Sequence, residues 1–137
     1  MSPSTTRTLI ERYFAAFNAG DSEAMVSLLS DDVVHDINQG ERQIGAEQFR
    51  WFNGIMARHY RETLSDIVIM VSEDGNRAAA EFTVHGTYLS TAEGLPEANG
   101  QTYTLSAGIF FETEDDRISR VTTYYNLTDW IAQVSKG

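Results

Sequence analysis

Arg12-Tyr13-Phe14-Ala15-Ala16-Phe17-Asn18-Ala19-Gly20-Asp21 reads as the end of one helix and the start of another. Leu9, Ile10, Tyr13, Phe14 and Phe17 recur at helical spacing and form one apolar stripe. Gly20 stands where a helix stops. Asp21 is placed to cap a shorter helix running through Met25, Leu28 and Leu29. Asp36 follows on a strand predicted over 33–37. A phenol on an early helix and a carboxylate on the first strand can serve one pocket, and such a pair facing an apolar cavity can move a proton beside a carbonyl.

Working outward, Asp31-Asp32 ends the second helix, and Gly45 precedes a third helix that carries Phe49, Phe52, Ile55, Met56 and His59. The period then changes. Residues 64–72 are rich in β-branched side chains, and Asp74-Gly75 signals a hairpin that returns over 78–89. Residues 90–101 contain Gly94, Pro96 and Gly100 and read as a long loop. A second hairpin spans 103–113 and 117–127, turned by Glu114-Asp115-Asp116, and Trp130 anchors a short terminal helix over 128–134. Helices first and antiparallel strands afterwards is an α+β pattern. The expected architecture is a curved antiparallel sheet with three N-terminal helices over one face, one domain over 1–137. Such a cone has a single pocket at its mouth.

Composition narrows the function. Twenty acidic and 10 basic residues give a net charge of -10, which repels phosphate backbones and anionic membranes. Nucleic acid and membrane are therefore not expected partners. Cysteine is absent, which removes disulfides, thiolate chemistry and Cys-containing zinc sites. None of His35, His59 and His85 stands at metal-ligand spacing with another, so no metal is expected. His35 is read as pointing away from the side of the strand that carries Asp36. No phosphate-cradling glycine loop or GxSxG motif occurs, so no cofactor is expected. The first residues hold no apolar stretch of signal length, and a cytoplasmic location is the expectation.

Arg12-Tyr13, Ala15-Ala16, Asn18-Ala19-Gly20-Asp21, Asp31-Asp32, Val34-His35-Asp36 and the helix-opening Gly45 closely resemble the start of bacterial ketosteroid isomerases. Those enzymes share the nuclear-transport-factor-like superfamily, a cone-shaped α+β fold, with SnoaL-type polyketide cyclases. The resemblance covers about the first third of the chain. The Gly94-Leu95-Pro96 loop and Tyr124-Tyr125-Asn126 resemble a group of isomerase-related proteins more closely still. The resemblance implies that Asp36 is the general base and Tyr13 the hydrogen-bond donor to a developing oxyanion. It aligns the family's second donor, a protonated aspartate, with Gly108, and so implies that this donor is lost. It also implies a homodimer.

On the strand from Tyr103, alternation groups Thr104, Ser106, Gly108 and Phe110, which the resemblance places on the cavity face. On the last strand the matching face carries Val121, Thr123 and Tyr125. Ser106 and Tyr125 are candidate replacement donors. Phe17, Phe52, Phe110 and Thr123 are candidate contacts for a small hydrophobic ligand. Trp51 and Phe52 are adjacent and cannot share one helical face, so one of them is available to a dimer interface. Two classes of function follow. One is cofactor-independent acid–base catalysis on a hydrophobic carbonyl compound, isomerase-like or polyketide cyclase-like. The other is a non-catalytic binding or dimerisation module of the same fold.

Overall fold

A computed structural model describes residues 1–136 of the chain, so Gly137, the last residue of the domain expected over 1–137, lies outside the described residues. Its elements run α1 (Pro3–Asn18), α2 (Ser22–Ser27), β1 (Leu29–Asp36), β2 (Arg42–Ile44), α3 (Ala46–His59), β3 (Tyr60–Val71), β4 (Arg77–Tyr88), β5 (Thr102–Glu114), β6 (Arg117–Tyr125) and α4 (Leu127–Ser135). This is the α+β architecture read from the sequence: a curved, unclosed sheet with helices packed on one side. No helix is long and apolar enough to cross a membrane among the described residues.

Local chemistry sets the helix boundaries. The Ser2 side chain accepts from the Thr5 amide at 3.1 Å and caps α1, with Pro3 in the first turn. Gly20, at φ 69°, turns the chain after α1. Asp21 accepts from the Ala24 amide at 3.0 Å and caps α2. Asp115 and Asp116, at φ 52° and 60°, form the left-handed pair that closes the β5–β6 hairpin.

The six strands lie in the order β2-β1-β6-β5-β4-β3. The expectation of a wholly antiparallel sheet is corrected at one joint, because β1 pairs with β6 in parallel. The β5–β6 hairpin fixes the direction of β6, and β1, arriving from α2, runs the same way. The three-residue β2 was not foreseen. Its one apolar side chain, Ile44, is 55% exposed, so it carries no period-two signal.

The inner face of the sheet packs on α1. Tyr13 meets the Phe111 ring edge-on at 5.4 Å, and Phe14 meets Phe82 at the same distance. Truncating a ring this deeply buried costs roughly 3–5 kcal/mol. Gly75 has no alternative at the β3–β4 turn: it sits at φ 73°, and an added Cβ would lie 2.3 Å from the Met1 carbonyl oxygen. Its own carbonyl accepts from the hydroxyls of Thr6 and Thr113, which pins the helix N-terminus to the sheet.

Face assignment on β5 is corrected by one residue. Tyr103, Leu105, Ile109 and Phe111 are buried, whereas Thr104, Ser106 and Phe110 are exposed. Ser106 and Phe110 therefore lie on the outer face, away from the cavity, and so does Gly108. The pairing with β6 is also shifted, by a bulge in β6. Glu112 pairs with Arg120 but Thr113 pairs with Ile118, which leaves Ser119 as an extra residue in β6. A regular hairpin would set Gly108 opposite the inward-facing Thr123; with the extra residue it pairs with Tyr124 on the outer face.

Candidate functional site

A cavity of about 460 Å³ opens between the inner face of the sheet and the helices. Phe17 of α1, Phe49 and Phe52 of α3, Leu64, Phe82, Leu105 and Ile109 make its wall largely apolar. Leu89 and Leu95 bring in the long loop beyond β4. That loop is clamped by Tyr88, whose hydroxyl donates to the Pro96 carbonyl at 2.7 Å and accepts from the Ala92 amide at 2.9 Å. Leu127 and Trp130 of α4 complete the lining.

Four of the side chains singled out in the sequence as ligand contacts, Phe17, Phe52, Thr123 and Tyr125, line this cavity, as does Tyr13. The neighbours Trp51 and Phe52 separate as helical geometry requires, Phe52 inward and Trp51 66% exposed. Tyr13 is 3% exposed, and burial alone raises its phenol pKa well above the ordinary value. Its hydroxyl has no hydrogen-bond partner among the described residues.

Asp36 is not in the cavity. Along β1, Val33 and His35 are buried while Val34 and Asp36 turn to the other face, and the cavity is lined by His35, Ile37 and Asn38. On its own side, Asp36 accepts from Arg42 Nε at 2.6 Å and Nη2 at 3.1 Å, and from the Thr122 hydroxyl at 2.7 Å. The Arg42 fork, chiefly, holds its carboxyl below the usual range, with help from Thr122. A carboxylate so paired is a weaker base than a free one. The motif and the burial phase of β1 differ by one residue, and a one-residue difference on a strand exchanges faces.

The carboxylate that does line the cavity is Glu62 of β3, which sequence reasoning missed. The signal was present, since Tyr60, Glu62 and Leu64 share the inward phase while Arg61 and Thr63 are exposed. The Tyr103 hydroxyl donates to Glu62 Oε2 at 2.5 Å. Desolvation raises the Glu62 pKa, and the Tyr103 hydrogen bond opposes that rise.

A missing side chain makes this pair possible. Glu62 of β3, Gly86 of β4 and Tyr103 of β5 stand in one row across the sheet, Glu62 paired with Gly86 and Gly86 with Tyr103. An added Cβ at Gly86 would lie 2.2 Å from Tyr103 Cζ and 2.5 Å from its hydroxyl. The phenol ring lies across the bare glycine to reach a strand two places away. Tyr60, stacked on Tyr88 at 5.6 Å, and Trp130, whose ring centroid is 5.8 Å from that of Tyr103, surround the same carboxylate region with aromatic surface.

On β1, the His35 ring packs against Phe49 and Phe52 with centroids 4.8 Å away in both cases. Burial lowers its pKa to about 4, against the pull of Asp36, and the imidazole is neutral at physiological pH.

The pattern of the SnoaL-like domain family matches residues 10–121. No functionally curated protein matches the sequence. Among solved structures, a protein named "putative polyketide cyclase" from Pseudomonas putida KT2440 is 59% identical, with a TM-score of 0.93 and 98% of each chain covered. A protein of the same description from Xanthomonas campestris pv. campestris is 50% identical, with a TM-score of 0.95 and 98% of this chain and 99% of that one covered. A "putative ketosteroid isomerase" from Kribbella flavida is 25% identical, with a TM-score of 0.65, and covers 90% of this chain and 79% of its own.

Proposed function

Since this chain belongs to the SnoaL-like family, we propose that its cavity performs cofactor-independent acid–base catalysis on a hydrophobic carbonyl compound, with Glu62 as the base. The observation that carries this reading is a desolvated carboxylate of raised pKa, bonded to a phenol, in a largely apolar cavity. Removing that carboxylate from water raises its basicity toward a carbon acid. Glu62 takes a proton from the carbon next to the carbonyl, and the C–H electron pair moves into the enolate. Tyr13, with an unoccupied hydroxyl on the cavity wall, donates to the developing oxyanion. Return of the proton to a different carbon is an isomerisation. Attack of the enolate on a second carbonyl of the same molecule is the aldol cyclisation of a polyketide. Both begin with the same step, and the proposal is for that step.

Deuterium exchange measures it without knowledge of the natural substrate. With β-tetralone in heavy water, followed by proton NMR, wild-type protein exchanges the acidic α-hydrogens faster than buffer, and Glu62→Gln removes the acceleration. Wild-type exchange at the buffer rate, or unchanged exchange in Glu62→Gln, leaves the cavity as a non-catalytic binding site, the other reading of the fold.

For assembly, a homodimer through the outer sheet face is the arrangement the surface favours. Phe110 is 48% and Tyr124 57% exposed there, and the two rings touch edge-on at 5.8 Å. Sedimentation equilibrium at micromolar concentration showing monomer only overturns it.

A further inference from the structure

Resting on the reading of the cavity as an acid–base site, we propose that His35 is its second oxyanion donor: a neutral imidazole that presents Nε2–H from β1 to the substrate carbonyl.

His35 is 5% exposed and lines the cavity. Neither ring nitrogen has a hydrogen-bond partner among the described residues, and Nδ1 is sealed from solvent as well. A buried polar side chain without partners costs stability, and natural proteins seldom keep one without a use for it. The enclosure also selects the tautomer. A sealed N–H is the rarer and costlier orphan, whereas a sealed lone pair is better tolerated. The proton therefore belongs on Nε2.

Placement agrees with the role. In the sheet order, β1 lies next to one edge and β3 forms the other, and His35 and Glu62 both line the cavity between them. Phe49 and Phe52, neighbours on one face of α3, pack against the imidazole without competing for its proton. Asp36, next in sequence, is turned outward and satisfied by Arg42, so it does not draw the imidazole proton to its own side. An imidazole kept neutral donates to an oxyanion without transferring its proton, as a protonated carboxylic acid would. The chemical class of ligand follows: an apolar molecule with a carbonyl or enolate oxygen directed at β1 and its acidic carbon directed at β3.

Long-range proton–nitrogen correlation NMR of the free protein tests the tautomer with no ligand. A neutral ring protonated on Nε2 through the range from about pH 5 to 8 is expected; a ring protonated on Nδ1, or charged at neutral pH, overturns the proposal. The second test uses His35→Phe, which keeps the ring volume. β-Naphthol, an apolar enol, binds the wild type at least about tenfold more tightly than the variant. Equal affinities, whether measurable or undetectable, overturn the assignment. The variant also melts a few degrees higher, because an orphaned polar group has gone; a lower melting temperature assigns His35 a structural role instead. Failure of the base assignment is separable. If Glu62→Gln leaves exchange unchanged while His35 shows the Nε2–H tautomer and the affinity difference, the base is wrong and the donor stands.

Discussion

Two carboxylates, Asp36 of β1 and Glu62 of β3, differ in the face of the sheet that they occupy, and the contrast between them is instructive. Asp36 sits in the segment that most resembles a catalytic one, yet it faces out, forked by Arg42 and bonded by Thr122. Glu62 sits in an unremarked strand, faces in, and has a phenol for its partner. A cation beside a half-solvated carboxylate lowers its pKa; an apolar wall around a hydrogen-bonded carboxylate raises it. Chemistry here follows the face of the strand and the partner across it, and the neighbouring letters in the sequence do not decide it.

The largest effect that bears on this contrast is on turnover. Glu62→Gln keeps the volume and a hydrogen-bond acceptor for Tyr103 but removes the base, and α-hydrogen exchange falls by about 10²–10⁴. Asp36→Asn changes exchange by less than about threefold, because the group lies outside the cavity. The reverse ranking, read in the same NMR assay, breaks the comparison outright. Gly86→Ala comes next. The new methyl occupies the space of the Tyr103 ring, the ring moves off Glu62, and exchange falls by roughly tenfold to a hundredfold from misplacement alone. With the Tyr103 hydrogen bond gone, only desolvation acts on Glu62, so its pKa climbs further. Carboxyl-carbon NMR of Glu62 in Gly86→Ala reads that climb, and a fall in its place contradicts the saddle role of Gly86.

How much of this was legible in the sequence varies with the physical source of the signal. Caps and turns at Asp21, Gly20, Gly75 and Asp115-Asp116 are local, and they mark the element boundaries correctly. The helix stripe that places Tyr13 and Phe17 inward is local as well. The inward positions of Thr123 and Tyr125 follow from period-two alternation. Faces went wrong where the resemblance assigned them. On β5 the resemblance put Ser106, Gly108 and Phe110 inward, whereas Leu105, Ile109 and Phe111 are the inward set, and the extra residue Ser119 in β6 sets Gly108 opposite Tyr124 instead of Thr123. Nothing in Ser119 itself announces a bulge. On β1 the motif put Asp36 inward and so His35 outward, whereas the burial phase of Val33 and His35 turns the imidazole inside. The Glu62–Tyr103 bond joins residues 41 positions apart through a strand that is neighbour to both, and a single sequence does not display such a row.

A third prediction concerns pH and sharpens the contrast between the two faces of β1. The folded-state pKa of His35, about 4, lies below the ordinary histidine value of 6.5. The unfolded chain therefore binds the extra proton first as pH falls. Stability is fully present above pH 6.5 and is lost as pH drops toward 4, by on the order of 3 kcal/mol. Glu62 acts in the opposite sense. Its raised pKa makes its contribution complete below the unfolded value and lost as pH rises through the folded one. Urea unfolding at several pH values separates the two groups by sign: His35→Phe flattens the rise of stability between about pH 4 and 6.5, and Glu62→Gln, which removes the opposing contribution, steepens it above the unfolded carboxyl value of 4.5.

The smallest effect belongs to the residue the motif made most prominent. Asp36→Asn removes an ion pair whose arginine side chain is 59% exposed, and exposed pairs contribute about 0–1 kcal/mol. Asn retains one oxygen for the Thr122 hydroxyl, so part of the local network survives. The sign of the pH dependence is fixed by the depressed carboxyl pKa. The contribution is present above the unfolded value near 3.8 and disappears as pH falls through the lower, folded one. Raising the salt concentration weakens the pair further. A destabilisation of about 0.5 kcal/mol in urea, shrinking in half-molar salt, is therefore the expected result. A loss of several kcal/mol that ignores salt would require Asp36 to be an enclosed, tightly coupled charge. The Arg42 fork would then be part of the core, and the outer end of β1 would no longer contrast with the inner wall of β3.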